Sequence, residues 1–218
     1  MIRLLKHNSP FLVLHLLFLI AGAYIIAQYE HGSEILYVNA LHTNALNKFF
    51  LLATKIAEGP GLILALLIAL YSAYGKGLLM LINILATSGL VQFLKHIVFS
   101  NQLRPAEFFK ETHELIFIPG LEMARYNSFP SGHTAAAFAM FFTLSLFAKN
   151  KYWGLLYFTL ALLVGISRVY LMQHFFRDVY VGSIIGVFVA ALLWLTFAQS
   201  NLYQNIKWRD KSLFKNNP

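Results

Sequence analysis

Three short stretches of this sequence set ionisable side chains where apolar runs end. Ser167-Arg168 is followed by His174 and Asp178, Pro130-Ser131-Gly132-His133 opens a second run, and Lys95 and Arg104-Pro105 flank the end of a third. His174 and Asp178 are four apart, so on a helix they share a face and can touch. A carboxylate beside an imidazole fixes its tautomer and makes the other ring nitrogen a better nucleophile or base. Lys95, Arg104 and Arg168 are expected to converge on one edge of a membrane. There, two cations about 4 Å apart repel by roughly 4 kcal/mol at an effective dielectric near 20. A dianionic phosphate reverses that sign; Arg offers it a planar fork and Lys a point charge. The competing readings are that each cation pairs with a loop carboxylate such as Glu107 or Glu111, and that all these residues are interfacial caps of membrane helices.

Composition decides the setting. Of 218 residues, 58% are hydrophobic and only 12% charged, which excludes a soluble or disordered chain and points to one polytopic membrane domain over residues 1–218. The net charge of +8 comes without a basic stripe interleaved with aromatics, so no nucleic-acid partner is expected. There is no cysteine, which removes disulfides and thiolate catalysis.

An all-α membrane bundle of six transmembrane helices, with an interfacial amphipathic helix, is predicted. The first runs from about Pro10 to Gln28; Ala21-Gly22-Ala23 resembles a signal-peptide cleavage site, but the apolar run continues to bilayer length, so a retained span is expected. Ile35, Val38, Leu41, Ala45 and Lys48-Phe49 fall at helical spacing, as in an amphipathic helix lying in the interface or in the start of the second span extended out of the membrane. Phe49 to Tyr74 reads as one long helix, kinked or broken near Pro60. Gly75-Lys76-Gly77 reads as a tight turn before the third span, Leu78 to Phe99. The polar residues of that span (Asn83, Thr87, Ser88, Gln92) are expected to bond between helices, and His15 of the first span is expected to be a helix-packing residue. A polar loop over 100–130 then precedes spans at His133 to Ala148, Gly154 to about Leu171 and Val179 to Ala198.

Six spans put both termini on one side. Arg3, Lys6, Lys76, Lys149, Lys151, Lys207, Arg209, Lys211 and Lys215 lie there against Asp210 alone, whereas the opposite side balances eight cations with eight carboxylates. The dense Lys/Arg marks the terminal side as cytoplasmic. Every candidate residue then falls on the extracytoplasmic face, at the ends of spans three to six.

Together the three motifs resemble the type 2 phosphatidic acid phosphatase family, which shares its site with the vanadium haloperoxidases. Pro130-Ser131-Gly132-His133 and Ser167-Arg168 with His174 and Asp178 match that family's second and third motifs in full. The first departs: eight residues separate Lys95 from Arg104, where the family pattern has six. The resemblance implies that His174 attacks phosphorus, Asp178 orients His174, and His133 protonates the leaving oxygen. It also implies that Lys95, Arg104, Ser131, Gly132 and Arg168 hold the phosphate. Proline and glycine at a helix start suit this, because free backbone N–H groups there bind anions; the ordinary reading of Ser131 is an N-cap.

The expected function is therefore hydrolysis of a lipid phosphomonoester or diphosphate at the bacterial inner membrane, through a phosphohistidine and with no metal or other cofactor. Phosphatidic acid, phosphatidylglycerophosphate, undecaprenyl diphosphate and lipid A phosphate are all open. The rivals are phosphotransfer to a lipid or sugar acceptor, a non-catalytic transporter or anion-binding scaffold, and a zinc site on the two histidines and the aspartate. Neighbouring cations argue against the zinc site, because they would repel the metal.

Overall fold

A computed structural model describes residues 8–212, so Arg3, Lys6 and Lys215, which enter the charge count, lie outside the described residues. Those residues fold as helices and connecting loops, α1 Ser9–Gln28, α2 Ser33–Asn39, α3 Asn44–Thr54, α4 Gly59–Ser72, α5 Tyr74–Phe93, α6 Pro105–Phe108, α7 Gly132–Phe147, α8 Trp153–Tyr170, α9 Phe176–Thr196 and α10 Asn201–Gln204. Among the described residues, four helices are long and apolar enough to cross a membrane: α1, α5 with its continuation to Val98, α8 and α9. The stretches Asn44–Ala57 and Gly59–Ser72 make a fifth candidate, bent by 48°. This is a multi-pass membrane protein.

α7 is the exception that organises the rest. Its 16 residues span about 24 Å at 1.5 Å per residue, short of a hydrocarbon core of roughly 30 Å. Yet nearly all of it is buried, from Thr134 to Leu146, because the longer helices sheathe it. Its tightest neighbour is α9. A Cβ on Gly182 would meet the Ser131 carbonyl at 2.7 Å, and one on Gly186 would meet the Ala135 carbonyl at 2.3 Å. Two glycines four apart thus let the two backbones touch, as small residues do between membrane helices. Ser131 N–H completes the contact by donating to the Asp178 carbonyl at 3.0 Å.

Several local expectations change. The proposed amphipathic helix is two helices, α2 and α3, separated at Ala40–Thr43. Its helical spacing of apolar residues therefore runs across a break. The long second helix does break, one residue before the Gly59-Pro60-Gly61 punctuation, at Glu58. Gly75-Lys76-Gly77 is the first turn of α5 and not a turn between helices; the chain reverses at Ala73, which is extended. There Tyr74 and Gly75 donate backbone bonds to the carbonyls of Lys211 and Arg209.

Of the polar residues of the third span, Asn83 bonds across helices, whereas Thr87 and Gln92 bond one turn along their own helical segment. Asn83 donates to the Ala139 carbonyl and to Thr143, and Thr87 donates to Asn83. His15 is buried against Phe138 and lies 3.2 Å from Ser183 Oγ. One end of the bundle gathers Asn8 bonded to Ser145, Lys76, Arg209 and Asp210. The candidate site lies at the other.

Candidate active site

Arg168 and His174 are joined by a closed turn. α8 ends at Tyr170, Met172 takes a left-handed conformation (φ 55°), and both Gln173 and His174 donate their N–H to the Arg168 carbonyl. This fold-back holds the two side chains on one cavity. His174 precedes α9, whereas Asp178 sits in its first turn. Their four-residue spacing is therefore not a shared helix face, as the sequence implied. Asp178 caps the start of α9 instead, and His174 lies against that cap.

The Asp178 carboxylate is fully buried, and its Oδ2 takes three partners. Ser128 Oγ donates to it at 2.5 Å, Phe175 N–H at 3.1 Å, and His174 Nδ1 lies at 3.3 Å. Acceptance by a carboxylate puts the imidazole proton on Nδ1 and leaves Nε2 with its lone pair. Burial first, then the charges of Arg104, Lys95 and Arg168, hold the His174 pKa well below its usual 6.5. The ring is thus held neutral, the form in which an imidazole can act as a base or nucleophile. Glu34, 142 residues away in sequence, accepts from Phe176 N–H and completes the start of α9.

α5 does not end cleanly. It widens into a π-helical turn, Leu94–Val98, which carries Lys95. Such turns are uncommon and recur at functional sites. Asn101 then turns the chain with φ 64°, and Arg104 comes back to the cavity that Lys95 lines. The eight-residue interval is thereby absorbed in an irregular helix end and a loop.

The cavity, of about 320 Å³, is lined by Lys95, Arg104, Gly132, His133, Arg168 and His174. Thr87, Ser88 and Gln92, expected to bond between helices, line it instead. The cations are held by neutral groups. Lys95 Nζ donates to the Asn127 carbonyl, Arg104 to the Tyr126 and Gln173 carbonyls and to Gln173 Oε1, and Arg168 to Thr54 Oγ1 at 2.7 Å. Among the described residues, no carboxylate lies within 4 Å of any of the three. Glu107 pairs with Lys110 and Arg125, away from them. Three cations at one cavity with no carboxylate paired to them leave a place for an anion.

Gly132 lines that cavity, and a Cβ there would meet protein only at 3.5 Å, an ordinary contact. Packing therefore does not require this glycine. Ser131 is absent from the lining; its Oγ accepts from Thr134 as the N-cap of α7. His133 lies 3.5 Å from Glu58 Oε1. Ser128, Gln173, Thr54 and Glu58 carry no motif signal. Ser128 and Gln173 at least neighbour the motifs, whereas Thr54 and Glu58 are over seventy residues from the side chains they meet. Among the described residues no group of three His, Cys, Asp or Glu is placed to hold a metal ion.

The geometry defines a class: a multi-pass helical membrane protein whose bundle ends in a cationic, histidine-bearing cavity. Comparison makes this particular. The PAP2 superfamily model matches residues 76–202, more than half of the chain. The chain belongs to the PAP2 superfamily. Among solved structures it is similar to Aquifex aeolicus LpxE, with 27% identity and a TM-score of 0.65 over 77% of this chain and 96% of that one. It is also similar to the PAP2-type phosphatidylglycerolphosphate phosphatase of Bacillus subtilis, with 25% identity and a TM-score of 0.62 over 90% of this chain and 98% of that one. Curated relatives include lipid phosphate phosphatase 1 of Arabidopsis thaliana, 38% identical over 41% of this chain, and lipid A 1-phosphatase of Porphyromonas gingivalis, 38% identical over 30%. Those matches span only 31% and 15% of the relatives' own lengths.

Proposed function

We propose that this chain is an integral membrane lipid phosphatase that hydrolyses a lipid phosphomonoester or diphosphate through a phosphohistidine intermediate. The observation that carries the reading is the single cavity where three cations without carboxylate partners meet His174 and His133. Lys95, Arg104 and Arg168 hold the phosphate, and Gly132 lets an oxygen approach the start of α7. Ser131 sets that start as its cap. His174 Nε2 attacks phosphorus while Asp178, accepting from Nδ1, stabilises the charge that forms on the ring. His133 gives its proton to the departing lipid oxygen and afterwards takes one from the attacking water. No step requires a metal.

The membrane arrangement belongs to the same proposal. One domain, 1–218, crosses six times if the bent pair and α7 each count as a span. The termini are cytoplasmic, and the site faces the periplasmic side. Its substrate enters from the lipid, because Ala57, Leu62, Val91 and Ala136 give the cavity an apolar flank. Each acyl methylene buried there contributes about 0.8 kcal/mol. The names of the relatives favour phosphatidylglycerophosphate, lipid A phosphate and phosphatidic-acid-like substrates.

The test is phosphate release by purified protein in detergent from a panel of lipid phosphates of increasing chain length, below aggregation. We expect His174→Ala to abolish turnover, chelator to leave it intact, vanadate to block it, and KM to fall with chain length much more than kcat changes. Near-normal turnover by His174→Ala removes the nucleophile. A flat chain-length series, with soluble esters equally good, removes the lipid substrate. Product appearing on an added lipid or sugar acceptor, in place of free phosphate, would make the protein a phosphotransferase.

A further inference from the structure

Glu58 stands in the bend between the Lys55–Ala57 turn and α4, with an extended backbone (φ −94°, ψ 178°). A short Ser, Thr, Asp or Asn at a helix start can cap the free N–H groups that follow it. Glu58 makes no such bond. Its Oε1 instead lies 3.5 Å from His133 Nε2, and its neighbours Ala57 and Leu62 line the candidate cavity. The location is electrostatically awkward, since a carboxylate beside a phosphate site opposes the ligand that three cations attract. No other carboxylate among the described residues lies within 4 Å of His133. The remaining titratable or charged groups on the cavity are Lys95 from the π-helical turn, Arg104 from the loop, and Arg168 and His174 from the end of α8 and its turn. Those cations all disfavour a protonated His133, yet a general acid must carry its proton.

We infer that Glu58 is a positioning residue for His133, accepting from Nε2–H so that the ring stays protonated and presents Nδ1–H to the leaving oxygen. This rests on the reading of His133 as the general acid. As His174 Nε2 bonds to phosphorus and the phosphorus–oxygen bond to the lipid breaks, the Nδ1 proton passes to the lipid oxygen. His133 is then neutral, with Nε2–H still on Glu58. Water attacking the phosphohistidine returns a proton to Nδ1 and restores the starting state.

The experiment uses the full chain in detergent and two esters of equal chain length. One is an alkyl phosphate, whose alkoxide must be protonated to leave; the other is a nitrophenyl phosphate, whose phenolate leaves without a proton. Glu58→Gln should lower kcat/KM on the alkyl ester at least about tenfold more than on the nitrophenyl ester. The basic limb of the alkyl-ester pH profile should move to lower pH, and Glu58→Asp should recover part of the loss. His133→Ala serves as the reference. If it loses the alkyl ester selectively while Glu58→Gln loses both esters equally or neither, and the basic limb does not move, the role of Glu58 is overturned. If His133→Ala itself loses both equally, His133 is not the acid and the inference falls with that reading.

Discussion

At the residue scale the interaction to test first is the carboxylate behind His174. Asp178→Asn keeps the shape but turns an anionic acceptor into an amide that favours the wrong imidazole tautomer. A fall in kcat on the order of 10³–10⁴-fold is expected, read as phosphate release at saturating substrate. Ser128→Ala removes one bond to the same oxygen and should cost about tenfold, the scale of one hydrogen bond to a charged group. The pH dependence follows from burial and the surrounding cations, which lower the His174 pKa. In the proposed mechanism only the neutral ring attacks, so the group is competent above its folded pKa and lost below it. The acid limb of kcat/KM should therefore lie below pH 6.5, the ordinary histidine value. A limb at or above 6.5 would contradict the burial of the ring.

At the scale of elements, two glycines have different duties. Gly186 separates the backbones of α7 and α9, and an alanine there would put its Cβ 2.3 Å from the Ala135 carbonyl. Gly186→Ala should destabilise the bundle by about 1–3 kcal/mol, visible as a lower thermal midpoint in detergent. Gly132→Ala meets only ordinary packing, so the midpoint should hold; kcat/KM should fall if the methyl occupies space that the proposed mechanism gives to a phosphate oxygen. Equal loss of stability in both variants would mean that Gly132 serves packing as well. The five-residue motif interval between Arg168 and His174 is an element property too. It is the length of a helix end that turns through Met172 and returns two N–H groups to the Arg168 carbonyl.

For the whole molecule, the prediction concerns sidedness. The end carrying Lys76 and Arg209 lies opposite the candidate cavity, and dense Lys/Arg on short loops marks the cytoplasmic face. The chain has no cysteine, so single cysteines report cleanly. One near Lys110 should react with an impermeant reagent on intact cells, and one near Lys149 should not. The reverse pattern overturns the orientation and places the substrate in the cytoplasmic leaflet.

The sequence by itself determined the membrane setting, most helix positions, and the set of residues to watch. Apolar runs and motif intervals are local properties, and a bilayer admits few solutions to them. Five of those residues, Lys95, Arg104, His133, Arg168 and His174, do line one cavity, with Gly132. Only the tertiary structure decided how they are held. Asp178 reaches His174 as the cap of α9 and not along a helix face, and the long Lys95–Arg104 interval closes through a π-helical turn. The partners Thr54, Glu58 and Glu34 come from a bent, mixed segment where apolar spacing misreads two short helices as one. Their contacts cross more than seventy residues of chain, and no periodicity within a segment can register a contact made by folding it against another.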